Sequence, residues 1–247
     1  MLASSGRRPT IAVTGLSGYV GTRFGELFGD SVSLVDWYRR TPSPLAAASH
    51  QVDTASEDAV ADALDRDRPG AVINVGAQAN VDECERERGD RAGPAWRSNA
   101  QAPSVLARAC ERAGVRFVHV STDYVFDGAA GPYDEASPTG HAANWYGESK
   151  LAGERGVLDA GGNAAIARIV LPYRRPPASR VDLVQLVRTR LENSQVFVGA
   201  TDQLVTPTLV DDVADGLVAL AESEGAGIYH LAGATILTPY EAGLAVA

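Results

Sequence analysis

Thr10-Ile11-Ala12-Val13-Thr14-Gly15-Leu16-Ser17-Gly18-Tyr19-Val20-Gly21 joins a short β-branched apolar run to a glycine-punctuated turn. The run reads as a buried strand over Thr10–Thr14, and Tyr19–Phe28 as the helix after the turn. A strand that feeds a helix through glycines is the context a dinucleotide-binding turn requires. Glycine allows the tight bend and lets backbone N–H groups approach a pyrophosphate, while the helix N-terminus adds partial positive charge. The spacing is G-x-x-G-x-x-G, and the candidate cofactor contacts within it are Gly15, Ser17, Gly18, Tyr19, Val20 and Gly21.

The next strand is expected over Ser31–Trp37, and Asp36 follows Gly15 by 21 positions. A carboxylate there is placed to accept hydrogen bonds from the adenosine ribose hydroxyls, which favours NAD(H). A turn-capping acid is the alternative. Arg39 and Arg40 follow closely and are suited to a 2′-phosphate, so the residues leave NAD(H) against NADP(H) open.

Further along, helices are expected at Glu57–Asp67, Pro103–Ala113 and Trp145–Leu158, and strands at Ala71–Val75, Arg116–Ser121 and Ala165–Val170. The segment after Pro42 and Pro44 reads as loop. Alternating strands and helices with right-handed crossovers predict an α/β fold: a doubly wound parallel sheet, the Rossmann arrangement, with its ligand crevice at the carboxyl ends of the strands. Residues 1–170 would form this dinucleotide-binding unit. After Pro172, Pro176 and Pro177 the alternation breaks, and residues 171–247 are expected to form a smaller substrate-side lobe interleaved with the sheet. This lobe would hold helices at Leu183–Asn193 and Val210–Ala221, a strand at Gly227–Leu231, and a further helix in which the chain stops.

The chain has 247 residues, a net charge of -9 and 21% charged residues. An acidic surface argues against general binding to nucleic acid or anionic lipid. Cys84 and Cys110 share no metal-ligand spacing with the histidines, so reduced thiols and no metal site are expected. No apolar run is long enough to cross a bilayer, and arginines near the start precede no apolar segment of the signal-peptide kind, so a cytoplasmic location is expected.

Of the 22 basic residues only Lys150 is a lysine. A position that keeps a compact ammonium where arginine serves everywhere else suggests a specific need. Tyr146 lies four residues earlier, on the same face of the expected helix. An ammonium beside the phenol would lower its pKa from about 10 towards neutrality and fit it to donate a proton to a developing alkoxide. A surface tyrosine–lysine pair is the alternative. Ser121 and Thr122 end a strand at the ligand edge, and either hydroxyl could hold a carbonyl oxygen or merely cap a turn.

With these pieces the chain resembles the extended short-chain dehydrogenase/reductases, and among them the dTDP-4-dehydrorhamnose reductase family. The resemblance rests on Gly15–Gly21, Val81-Asp82-Glu83-Cys84-Glu85, Ser121-Thr122-Asp123-Tyr124-Val125-Phe126-Asp127-Gly128 and Tyr146-Gly147-Glu148-Ser149-Lys150-Leu151-Ala152-Gly153-Glu154. It also includes Asp202-Gln203, Pro207-Thr208 and Tyr229-His230-Leu231-Ala232-Gly233. It implies a catalytic triad of Thr122, Tyr146 and Lys150. Cofactor contacts would come from Asp53 near the adenine, from Asn74 and Ala77 beside the nicotinamide, and from Asn99 supporting the site. Asp123, Tyr124 and Arg168 would stand on the substrate side. The implied reaction is reduction of the 4-keto group of a nucleotide-linked 6-deoxysugar by NADPH or NADH. The small-molecule substrate is the expected partner, and a homodimer is the assembly considered.

The chain departs from the family at Ala79, where a threonine is usual, and after Arg168, where Ile169-Val170-Leu171-Pro172-Tyr173 replaces a Trp–Val–Tyr–Gly type run. Family members also usually continue for several elements more. Two rival functions are therefore kept: a nucleotide-binding regulatory subunit like the methionine adenosyltransferase beta subunit, and a nucleotide-sugar epimerase or dehydratase.

Overall fold

The computed structural model describes residues 8–175, 178 and 180–247; Pro176 and Pro177 of the expected break lie outside the described residues. In chain order the main elements are β1 (Thr10–Thr14), α1 (Tyr19–Phe28), β2 (Ser33–Tyr38), β3 (Ala48–Gln51), α2 (Glu57–Asp67), β4 (Ala71–Asn74), α3 (Val81–Arg86), α4 (Pro94–Trp96), α5 (Ala102–Ala113) and β5 (Arg116–Thr122). They continue with α6 (Trp145–Ala160), β6 (Ala164–Ile169), β7 (Pro172–Tyr173), α7 (Leu183–Glu192), β8 (Thr208–Leu209), α8 (Val210–Glu222), β9 (Gly227–Leu231) and α9 (Pro239–Val246).

Seven strands form one sheet in the order β3-β2-β1-β4-β5-β6-β9, and all its pairings are parallel. Chain order reverses between β1 and β4, the point where such sheets open a crevice. The central strands are apolar on both faces because both are covered: α1 and α8 pack on one side, α2, α5 and α6 on the other. Local chemistry sets the helix ends. Ser56 accepts from Ala59 N–H to cap α2, Asn144 accepts from Gly147 N–H to cap α6, and Gly114 ends α5 in the left-handed region.

Several short elements were not expected from the sequence, among them α4, β7 and β8. The loop after Pro44 contains β3, whose Ala-Ser-His-Gln lacks β-branched alternation because it is the edge strand and half open to solvent. The short α3, capped by Asn80, was also not anticipated. Residues 210–231 return to the main sheet, α8 packing on α1 and β9 pairing with β6. The segments on either side meet outside it, through the β7–β8 pair, an α7–α9 contact and a Val205–Leu237 bridge.

Placement of α6 depends on two glycine notches. A Cβ on Gly147 would lie 2.1 Å from the Tyr124 carbonyl oxygen, and one on Gly153 would lie 2.1 Å from that of Asn99. A methyl group at either position must push α6 away from the backbone it meets, that of Tyr124 after β5 or that of Asn99 before α5. We expect Gly153→Ala to destabilise the fold by about 1–3 kcal/mol, the usual cost of overpacking. A urea midpoint unchanged at constant slope would contradict this.

Candidate active site

The carboxyl ends of β1, β4 and β5 open onto a continuous crevice. One half is lined by Tyr38, Arg39, Arg40, Asp53, Asn74 and Arg97, and the other by Val20, Thr122, Asp123, Tyr124, Tyr146 and Lys150. Gly15, Ser17, Gly76 and Ala77 belong to both halves. At the waist, Gly15 sits at φ +72° with its missing Cβ only 2.7 Å from Gly76 Cα, so two backbone segments touch where side chains would collide.

The N-terminus of α1 faces this waist. Gly18 caps it without any side-chain hydrogen bond, and its first turn contains no acid, whereas α2, α3, α6, α7 and α9 are each capped by a side chain. Uncapped N–H groups and a helix dipole at a glycine turn suit a pyrophosphate, so the residues present fit a dinucleotide. Tyr19 reaches across the crevice wall and donates to Asp182 Oδ2 at 2.5 Å, tying α1 to the cap of α7.

In the second half, Tyr146 is half-buried in surface terms while its phenol lies deep in the protein mass, edge-on to Tyr124 at 5.8 Å between ring centroids. The Thr122 hydroxyl shares the crevice wall with the phenol. It donates to Asp123 Oδ1 at 3.0 Å and accepts from Tyr124 N–H. Burial raises the Asp123 carboxyl above its ordinary value.

Lys150 is 2% exposed, and its amine points into β5: 2.7 Å to the Val120 carbonyl and 3.2 Å to His119 Nε2. This corrects the expectation that the lysine pulls the tyrosine towards neutrality. Burial holds the phenol well above its usual value and the Asp123 charge adds to that, while desolvation lowers the Lys150 amine to about 8. With no cofactor bound, Tyr146 is therefore a protonated acid at neutral pH.

Four other expected contacts lie outside the crevice lining. Asp36 is fully buried; one oxygen accepts from Ser43 N–H at 2.7 Å and the other has no partner. It caps the turn after β2 rather than facing a ribose, because the β2 side chains that reach the crevice are Trp37 and Tyr38. Gly21 serves packing, since a Cβ there would lie 2.2 Å from Gly15 O. Asn99 is sealed behind the wall, bridging Gln78 backbone and Ser149 Oγ. Arg168 is 3% exposed, paired with both oxygens of Glu154 at 2.9 and 2.7 Å and stacked over Phe126 at 4.9 Å.

The sequence reading missed Arg97, which pairs with Asp53 at 2.5 Å, and Arg180, whose guanidinium sits 5.6 Å over the Tyr19 ring at the crevice edge. It also missed His119 beside Lys150. No motif flagged them; only the fold brings them to the site. Among the described residues no group of three or more His, Cys, Asp or Glu side chains gathers to hold a metal. No helix among them is long and apolar enough to cross a membrane.

The buried Arg168–Glu154 pair predicts a stability phenotype. Arg168→Met leaves Glu154 buried and uncompensated, so we expect a loss of about 3–5 kcal/mol in denaturant unfolding. A loss of substrate affinity at unchanged stability would instead place Arg168 in the substrate site.

Comparison with known proteins agrees with this architecture. The family model described as RmlD substrate binding domain matches residues 9–247. A dTDP-4-dehydrorhamnose reductase of Mycobacterium tuberculosis is 33% identical over 245 residues, covering 96% of this chain and 74% of its own. One of Streptomyces griseus is 35% identical over 230 residues, covering 90% and 70%. The crystal structure of a dTDP-4-dehydrorhamnose reductase from Bacillus anthracis in complex with NADP superimposes with a TM-score of 0.82 at 25% identity, over 98% of this chain and 81% of that one. On these matches, the chain belongs to the RmlD substrate binding domain family.

Proposed function

We propose that the chain is an NAD(P)H-dependent reductase of a nucleotide-linked 4-keto-6-deoxysugar. One observation carries the proposal: the Tyr146 phenol, the Thr122 hydroxyl and the Lys150 amine share a crevice wall with the uncapped N-terminus of α1. When bound, the nicotinamide supplies the hydride. The protein holds the dinucleotide through Ser17, Gly18 and the first turn of α1 at the pyrophosphate, with Asn74 and Ala77 at the inner wall. Tyr146 gives its proton to the oxygen as that oxygen gains charge, and the raised phenol pKa keeps the proton available at neutral pH. The Thr122 hydroxyl turns from Asp123 to steady the same oxygen. Lys150 stands behind Tyr146 on α6. Asp123, Tyr124, Gln203 and Arg180 line the end of the crevice where the sugar nucleotide is received. A cytoplasmic setting suits the two unpaired, buried thiols, which burial keeps protonated.

For the dinucleotide we propose a preference for the 2′-phosphorylated form. Asp36, the acid that would repel this phosphate, faces away from the crevice, whereas Arg39 and Arg40 line the half that would take the adenosine. Joint Arg39→Ala and Arg40→Ala substitution should weaken NADPH binding about tenfold or more, the loss of roughly one charge-assisted hydrogen bond, and leave NADH nearly unchanged. Fluorescence titration of the reduced cofactor measures both; equal losses for the two would refute the preference.

The reductase reading is tested by mixing the protein with NADPH and a dTDP-4-keto-6-deoxyhexose and following cofactor absorbance. Tyr146→Phe should lower kcat by about 100-fold or more with cofactor binding retained. Tight cofactor binding without oxidation in the parent protein would favour a regulatory role, and sugar conversion without net cofactor consumption an epimerase.

A further inference from the structure

A row of polar side chains crosses the sheet beneath the crevice. Thr14 on β1 is level with Asn74 on β4, and Asn74 with His119 on β5, so the three project on the same side of neighbouring strands. All three are buried, and His119 is fully so. Thr14 Oγ1 donates to Asn74 Oδ1 at 2.5 Å, Asn74 Nδ2 meets His119 Nδ1 at 2.9 Å, and His119 Nε2 meets Lys150 Nζ at 3.2 Å.

The direction of this chain of hydrogen bonds can be worked out from its ends. Thr14 Oγ1 accepts the Gly76 N–H at 3.1 Å, so its own proton is free to go to Asn74 Oδ1. The Asn74 carboxamide is thereby oriented with its NH₂ towards the imidazole. His119 Nδ1 must then be the bare, accepting nitrogen, and the single proton of the neutral ring sits on Nε2, facing the lysine. An ammonium at Nζ would set N–H against N–H, whereas an amine offers its lone pair. At the far end, Lys150 donates to the Val120 carbonyl at 2.7 Å.

We propose that His119 is a positioning residue that favours the neutral amine of Lys150 over its ammonium in the cofactor-free protein and so lowers the pH at which the lysine loses its proton, with Thr14 and Asn74 locking the imidazole tautomer that does so. Each hydrogen bond of the row, from Gly76 N–H to Lys150, then has one donor and one acceptor. Burial acts in the same direction on both groups, lowering His119 well below its ordinary value and Lys150 to about 8. The other titratable or charged groups around them are Tyr146 and Glu154 on α6, Asp123 after β5, and Arg180. Glu154 favours the charged lysine but is itself held by both branches of Arg168. A neutral amine spares the empty site an uncompensated buried charge. The inference deepens the proposed catalytic role of Lys150 but is tested without turnover.

Because Lys150 is the chain's one lysine, protein grown on lysine labelled with ¹³C and ¹⁵N carries a single labelled amine. Its ¹³Cε shift is followed against pH in cofactor-free protein, and in a second sample grown on ¹⁵N-labelled histidine the ring ¹⁵N shifts of His119, assigned by their loss in His119→Gln, report the tautomer. We expect a Lys150 midpoint near 8 and a His119 ring with bare Nδ1 and protonated Nε2. In His119→Gln the carboxamide oxygen can turn to the amine, so the midpoint should rise by about one pH unit or more. Asn74→Asp, whose carboxylate accepts from Nδ1 and turns Nε2 into an acceptor, should raise it likewise and carries the test if the first variant does not fold. A purely structural role for His119 would leave the midpoint of folded variants unmoved. That result, or a wild-type Lys150 charged up to pH 10 beside a His119 protonated on Nδ1, would overturn the proposal and leave the reductase assay standing by itself.

Discussion

The close seating of α6 against the carboxyl edge of the sheet is the constraint on which the site depends. Side chains at positions 147 and 153 would occupy the space of the Tyr124 and Asn99 carbonyl oxygens, so only glycine lets the helix backbone come this near. That approach brings Tyr146 beside Thr122 and drives the Lys150 stem between α6 and β5, where its amine finds Val120 and His119. Asn99 and Ser149 complete the clamp from the side, and the Arg91–Trp96–Trp145 stack braces the first turn of the helix. Packing and chemistry are therefore one feature here: the notch that positions the acid also strips water from the amine behind it.

The electrostatics of the interior follow one rule applied in different ways. Arg168 and Glu154 share a buried bidentate contact, and Arg116 distributes its donors over the backbone carbonyls of Asn163, Leu220 and Gly225. These charges are matched in place and keep the last strands together. Asp36, by contrast, has one oxygen without a partner, and burial raises its carboxyl above the ordinary range. At the crevice, Tyr146 and Lys150 are likewise displaced by burial towards their neutral forms.

The sequence displayed the frame because its signals were local and repeated. Thr10–Thr14, Tyr19–Phe28 and Glu57–Asp67 fall where periodicity and glycine put them, and the seven-stranded parallel sheet follows. The edge strand Ala48–Gln51 was invisible because its four residues show no β-branched alternation, and its pairing with β2 is a matter of backbone. Tyr146, Lys150 and Thr122 could be found in the string, and the fold puts them on one wall. Their electrostatics could not be found there: one-turn spacing on a helix suggested an ammonium against a phenol, whereas the amine turns away into the next strand. Asp36 and Arg168 misled for a related reason. Spacing along the chain locates a strand end but not the side to which a carboxylate turns, and a motif arginine can be consumed by a neighbouring glutamate. The row Thr14–Asn74–His119 is legible only once the strand register is known.

The arginines of the crevice also shape how a ligand arrives. The chain as a whole carries a net charge of -9, yet Arg39, Arg40, Arg97 and Arg180 line the opening. A phosphorylated molecule thus meets repulsion at a distance and attraction at contact. The first acts over a Debye length of about 10 Å at 0.1 M ionic strength and fades as ions are added; the second, between partly desolvated groups in contact, persists longer. Moderate salt thus lowers the outer barrier more than it weakens the inner well, so capture of anionic molecules quickens with ionic strength before it slows, the reverse of a uniformly basic nucleotide-binding surface.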